Sequence, residues 1–237
     1  MVHKTQVNVP APDGVMPAHW LLPEGAGPFP AVVVLMEAFG LVRHIEEVAE
    51  RLAGEGYAVL APDLYYRQLP DNRVGYDEVP RAVELMQSLD DRDFIADLRA
   101  ALAFLRDSGR VDATRIGITG FCMGGRLAFL AACALPGEIA AAAPFYGGGI
   151  PRHLEQAEAI RCPLLLFFGD RDPLIGADQV QAIEERLRAL GKDYRIQRYA
   201  DAGHGFFCDH RSSYHAPSAA DAWTRLTGFL AGHLRGR

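Results

Sequence analysis

The sequence predicts an α/β fold, a mostly parallel central sheet with helices on both faces. Short apolar runs, AVVVLM at 31–36 and PLLLFF at 163–168, have the composition of strands buried on both sides. Such runs alternate with helix-period segments about six times, which implies parallel strands joined by right-handed helical crossovers. The length of 237 residues suits one domain over 1–237.

The chain opens with two β-rich segments, TQVNV and PAHWLL, on either side of an Asp13-Gly14 turn. No helix separates them, so they are expected to form an antiparallel edge. The loop EGAGPFP leads to AVVVLM, the first buried strand. A helix follows at 44–54, ending near Gly54 or Gly56, and then the strand YAVLAPD. Residues 62–76, rich in Pro, Asp, Asn and Gly, read as a long loop. Two helical patterns come next. The second places Phe94, Ile95, Leu98, Leu102 and Leu105 on one face, with Gly109 after its end. RIGITG is a strand, CMGGRLAFLAACAL a helix, AAAAPFYGG and CPLLLFFGD strands. A helix at 177–191, the strand YRIQRYA, a loop over 201–215 and a last helix at 216–234 complete the chain.

Composition bounds the function. Hydrophobic residues make up 49% and charged residues 23%, a globular profile. The net charge of −6 argues against nucleic acid or an anionic membrane as partner. No signal-like leader and no apolar run of membrane-spanning length is visible. Cys122, Cys133, Cys162 and Cys208 are widely spaced with no CxxC pair. Free thiols in a reducing cytoplasm are therefore expected. The expected partner is a small molecule, and the chain itself a monomer or small homo-oligomer.

In parallel sheets ligands bind beyond the carboxyl ends of the strands, so chemistry is sought there. Gly120-Phe121-Cys122-Met123-Gly124-Gly125 lies between a strand and a helix. This is the nucleophile-elbow pattern G-x-nucleophile-x-G with cysteine as nucleophile. Small flanking residues are needed because the turn is tight, and the helix N-terminus favours a thiolate. A buried structural cysteine could also fill G-x-C-x-G; the strand–turn–helix context selects the nucleophile. His204, between Gly203 and Gly205 just after the last strand, is the candidate base. After PLLLFF stand Asp170 and Asp172. Turn chemistry could explain either one, and Asp172, which precedes Pro173, is the chosen acid. The order nucleophile, acid, base is that of the α/β hydrolases. Glu37 follows the first buried strand and is either a turn cap or a carboxylate beside the elbow. The N–H groups of Ala38 and Met123 occupy the usual oxyanion-hole positions.

These motifs, MEAFG, PDLYYR, GFCMGG, GDRDP and AGHGF, resemble the dienelactone hydrolase (carboxymethylenebutenolidase) family along nearly the whole chain. The resemblance implies an α/β-hydrolase fold and a Cys122–His204–Asp172 triad, with Glu37 taking the thiol proton when substrate binds. It places Arg81 where that family holds a substrate carboxylate. Four residues after the histidine, where the family has a second arginine, this chain has Cys208, and Arg211 is the substitute. The implied activity is hydrolysis of small lactones or esters, possible anions among them, through an acyl-enzyme, with no cofactor. The alternatives are a non-hydrolytic thiol or redox protein on the same scaffold, or a metal protein using His204, Cys208, His210 and His215.

Overall fold

The computed structural model describes residues 1–68 and 73–235. Part of the expected 62–76 loop, residues 69–72, lies outside the described residues. Strands β1 (His3–Ala11) and β2 (Gly14–Leu22) form an antiparallel pair turning at 12–13. β1 is largely exposed, which suits a solvated edge. Then follow β3 (Phe29–Leu35), α1 (Arg43–Gly54), β4 (Ala58–Pro62), α2 (Val79–Ser88), α3 (Asp91–Asp107) and β5 (Val111–Phe121). The second half runs α4 (Met123–Ala134), β6 (Ala141–Phe145), β7 (Leu164–Gly169), α5 (Ala177–Ala189), β8 (Tyr194–Tyr199) and α6 (Ala216–Leu234). Where simple alternation predicts a helix between β6 and β7, two short 3₁₀ turns stand instead, at Ile150–His153 and Gln156–Ala159. Pro151 at the start of the first turn and the glycines at 147–149 suit a short turn better than a helix.

All eight strands join one sheet in the order β1-β2-β4-β3-β5-β6-β7-β8. β2 is antiparallel to β4, and every pairing from β4 through β8 is parallel. From β3 the chain steps to one side to make β4, and later to the other side to make β5 and β6. Right-handed crossovers then place α1 and α4 on opposite faces. This covering explains why every residue of β4, β6 and β7 is buried. Helix α3 shows the local logic. The Asp90 side chain caps it by accepting from the Arg92 N–H at 2.7 Å, and Asp91 and Asp93 stand in its first turn. Phe94, Leu98, Leu102 and Leu105 bury the predicted face, while Ile95 is half-buried.

Asp97, on the same helix, is a buried carboxylate. Arg67 donates to it twice, at 2.5 and 2.8 Å, and the Tyr66 hydroxyl donates at 2.9 Å. The cluster ties the segment after β4 to α3, and it holds Tyr65 where the site needs it. Replacing Asp97 with Ala removes two of Arg67's hydrogen bonds and the acceptor of Tyr66, while the Arg67 Nε keeps Asp13 at 2.8 Å. The variant is expected to lose about 1–3 kcal/mol of stability, read as a lowered urea midpoint.

Candidate active site

Strand register fixes the site's position before any side chain is considered. β3 and β5 are parallel neighbours with Leu35 opposite Gly120. Two residues beyond these partners stand Glu37 and Cys122. Because the chain leaves β3 in both directions, a crevice opens at the carboxyl ends of these two strands.

The turn at Cys122 is as tight as its sequence predicts. Cys122 adopts φ 55° and ψ −112°, a left-handed conformation unusual for a non-glycine residue. A Cβ on Gly124 would run into the Leu35 carbonyl, and one on Gly120 into the Gly124 carbonyl. Backbone lies on both sides, so neither clash can be relieved by a rotamer change. The Cys122 N–H donates to the Phe145 carbonyl of β6 at 3.1 Å, and the Cys122 carbonyl accepts from Arg126 N–H at 3.2 Å. Cys122 is therefore at the mouth of α4, where the helix dipole favours a thiolate.

The histidine arrives by aromatic packing. The 201–215 loop runs back over the strand ends because Phe206 and Phe207 are buried there. Phe207 stacks on Phe121 with ring centroids 5.5 Å apart and touches Phe145 at 5.1 Å. Phe206 packs edge-on against Tyr146 at 5.4 Å, and His204 against the same ring at 5.2 Å. His204 Nδ1 donates to Asp172 Oδ2 at 2.8 Å. The other oxygen of Asp172 accepts from the N–H groups of Leu174 and Ile175 at 2.8 and 3.2 Å. Asp170 instead accepts from Arg198 at 2.6 Å and takes no part. Burial alone would lower the basicity of His204. Asp172 and the neighbouring Cys122 thiol outweigh it and raise the imidazole pKa to about 10. Its Nε2 is buried and, among the described residues, has no partner in strict hydrogen-bond geometry, although Cys122 acts on the ring.

Glu37 is fully buried, not a surface cap. Burial raises its carboxyl above the ordinary range, and the positive charges of Arg211 and His204 oppose this without cancelling it. Arg211 Nη1 donates to Glu37 Oε1 at 3.5 Å, while Oε2 has no hydrogen-bond partner. The Arg211 guanidinium also lies over the rings of Phe39 and Tyr76, at 5.4 and 5.8 Å. The substitute arginine thus sits beside the site.

A cavity of about 1,080 Å³ contains Cys122, His204, Ala38, Met123 and Arg211 in its wall, together with Arg126 and Arg152. Arg126 is engaged by Asp91 at 2.6 Å; among the described residues Arg152 makes no ion pair. Arg81 stands apart. It lies on α2, whose Val79, Ala82, Val83 and Met86 wall the cavity, yet its guanidinium donates outward to Glu84 at 2.9 Å. The i,i+3 pair places the Arg81 charge at the surface, apart from the other candidate residues. The run of potential metal ligands also disperses. His204 serves Asp172, Cys208 lies 3.3 Å from the Tyr76 hydroxyl, His210 2.8 Å from Glu47 and His215 2.7 Å from Ser218.

Sequence reasoning left Tyr65 and Arg152 without a role. Tyr65, inside PDLYYR, is fully buried and donates to the Ala38 carbonyl at 3.1 Å, with the Met123 sulfur 3.4 Å away. It pins together the two segments that carry the oxyanion-hole candidates. A tyrosine directly after a buried strand's end was the available signal. Arg152 carried none, because its approach to the cavity depends on the 3₁₀ turn.

A parallel sheet with a cysteine elbow, a following acid and a histidine on the last strand's loop defines the α/β hydrolases. The model of the dienelactone hydrolase family matches residues 16–234, and the chain belongs to that family, hydrolases acting on esters and lactones. It is 34% identical over 207 residues to a carboxymethylenebutenolidase of Pseudomonas putida, covering 86% of each chain. A crystal structure from Klebsiella pneumoniae subsp. pneumoniae, proposed in its name to be a dienelactone hydrolase, superposes with TM-score 0.91. Its identity is 34%, covering 98% of this chain and 99% of that one. The dienelactone hydrolase-like promiscuous phosphotriesterase P91, from metagenomic libraries, superposes with TM-score 0.86 at 26% identity, with 98% of both chains covered.

Tyr65→Phe keeps the ring and removes the hydroxyl. Loss of one buried hydrogen bond is expected to lower kcat about tenfold, with KM nearly unchanged and the melting temperature lowered by a few degrees. Steady-state kinetics and a thermal melt check it.

Proposed function

We propose that the chain hydrolyses small lactones or esters by acyl transfer to Cys122. The observation that carries this is the buried His204–Asp172 hydrogen bond beside a strained cysteine elbow, all at one cavity. The Cys122 proton passes to a neighbouring base as sulfur attacks the substrate carbonyl. His204 Nε2, made more basic by Asp172, is one acceptor. Glu37 is the other: its unpartnered Oε2 and complete burial suit a carboxylate that takes a proton. The N–H groups of Ala38 and Met123 stabilise the tetrahedral oxyanion, the latter at the first turn of α4 where no intrahelical acceptor exists. The carbonyl–oxygen bond then breaks, and the group that took the thiol proton, His204 or Glu37, returns it to the departing alkoxide. Water, deprotonated by His204, attacks the thioester, releases the acid and restores the thiol. These steps need no cofactor.

Arg211 and Arg152, the latter without an ion pair among the described residues, favour a substrate carrying a carboxylate. The chain is acidic overall, so this preference is local rather than a field of the whole surface.

Cys122→Ala is expected to abolish turnover while leaving the melting temperature intact, and iodoacetamide to inactivate the wild type. His204→Ala is expected to lose several orders of magnitude in kcat, Asp172→Asn to be severely impaired, and Asp170→Asn to be near wild type. Retained hydrolysis in Cys122→Ala would refute the mechanism.

Substrate charge is tested with kcat/KM for an anionic lactone and a neutral ester of similar size. Arg211→Ala is expected to lose about ten- to hundred-fold on the anion, the worth of one charge-assisted contact, and little on the neutral ester. Arg152→Ala is expected to follow in the same direction. Arg81→Ala is expected to behave as wild type on both. Equal losses on both substrates would show that these arginines do not select for charge.

A further inference from the structure

Behind the cavity wall, Glu37, His44 and Cys208 form a second group with chemistry of its own. All three are buried, and each offers one ligand atom within 4.8 Å of the other two. They come from three separate places: the turn after β3, the first turn of α1, and the loop after β8. Two of them carry a buried polar atom that is unpaired among the described residues. Glu37 Oε2 and His44 Nε2 have no partner in hydrogen-bond geometry, in residues that are 0% and 3% exposed, although the Tyr76 hydroxyl interacts with the Glu37 carboxyl. Native interiors rarely leave two such atoms unpaired side by side. We propose that Glu37, His44 and Cys208 form a binding site for a zinc-like divalent cation, and that its occupancy shuts the enzyme down.

The donor set favours that ion. One carboxylate, one imidazole and one thiolate are all zinc ligands. The thiolate disfavours magnesium or calcium, which take oxygen donors. A carboxylate and a thiolate together balance a divalent charge, as a buried site requires. The imidazole is neutral, as a ligand must be: burial lowers the His44 pKa to about 4. Tetrahedral zinc, with bonds of about 2.0–2.3 Å, sets its donors roughly 3.4–3.7 Å apart. Each pair of donors therefore closes by up to about 1.4 Å around the ion. As the metal–sulfur bond forms, the Cys208 proton leaves to solvent and the Tyr76 contact is given up. Of the three, His44 lies in the wall of a cavity of about 620 Å³, the proposed way in, together with Glu47, Glu50 and Asp209 and a single guanidinium, Arg51. Those carboxylates attract a cation toward the opening. The edges of the Phe121 and Phe207 rings hold the His44 ring in place, at 5.3 and 6.0 Å.

The binding claim stands apart from the catalytic reading; the inhibition claim rests on it, since a metal-bound Glu37 can no longer accept the thiol proton. Cobalt(II) is the probe for binding, and Cys122→Ser is the background, which removes the nucleophile's own thiol. One equivalent of cobalt is expected to give a thiolate-to-cobalt charge-transfer band and tetrahedral visible bands. Both bands are expected to vanish in Cys122→Ser/Cys208→Ser. In Cys122→Ser/His44→Phe, which keeps a ring in the aromatic slot, affinity is expected to fall about 100-fold. A thermal melt of each variant confirms that it is folded. Zinc is then titrated into the wild type and Cys208→Ser during ester hydrolysis, where the variant is expected to resist inhibition at least tenfold better. No thiolate band in Cys122→Ser, or a band that survives loss of Cys208, overturns the site. A band without inhibition of the wild type keeps the site and overturns the proton-accepting role of Glu37.

Discussion

Everything in this molecule depends on one backbone turn that the surrounding sheet forces into a left-handed conformation. Cys122 cannot relax from φ 55° because its neighbours are anchored on three strands. Its N–H is tied to β6, and Gly124, two residues on, lies so close to the Leu35 and Met36 carbonyls at the end of β3 that a Cβ there would collide with them. A non-glycine residue in such a conformation costs about 1–3 kcal/mol. The buried parallel strands β3, β5 and β6 offset this. The benefit is directional: the thiol projects from the strand ends into the crevice, with a helix N-terminus beneath it.

The remaining groups are brought to that point by packing that carries no chemistry of its own. Phe206 and Phe207 bury themselves over Phe121, Phe145 and Tyr146, and their burial draws the 201–215 loop across the sheet edge. His204 is delivered as a consequence. Asp172 is held by two backbone N–H groups, so its free oxygen can point only at the imidazole. Tyr65 locks the β3 and β5 turns together, and the Asp97 cluster locks Tyr65's segment. Arg211 lies across Glu37 with its flat face over two aromatic rings, a placement that suits a planar guanidinium and not a lysine. Glu37 is the group in which these demands meet, because it adjoins Arg211 on one side and Cys208 and His44 on the other.

The sequence disclosed the fold and the elbow because both are written locally. Valine-rich runs have strand length, α3 has its period and its cap, and the glycines around Cys122 exist for steric reasons that hold in any such turn. The sequence sets Asp172 before a proline and so in a turn, and the structure places that side chain against His204 and Asp170 against Arg198. What was hidden depends on side-chain direction across long sequence separations. Arg81 occupies the expected helix, but Glu84, three residues on, captures it at the surface. Arg152 reaches the cavity only because the β6–β7 connection is a 3₁₀ turn, where alternation had suggested a helix. His44 lies on α1 with no motif around it in the sequence. Its burial beside Glu37 and Cys208 follows from the aromatic packing of Phe121 and Phe207, which no spacing on α1 could disclose. Among the described residues no helix is long and apolar enough to cross a membrane.

The central claim is that the acyl group of the substrate passes through a thioester on Cys122. The most direct measurement is intact-protein mass spectrometry after rapid acid quench of the chain with a panel of lactones and activated esters. The account predicts an added mass equal to the whole lactone, or to the acyl part of an ester. Peptide mapping would place it on Cys122, and it would be absent in Cys122→Ala. It would accumulate in His204→Ala when an activated ester is used, because deacylation there lacks its base. Turnover by the wild type with no adduct under any quench time, or an adduct on another residue, would contradict it.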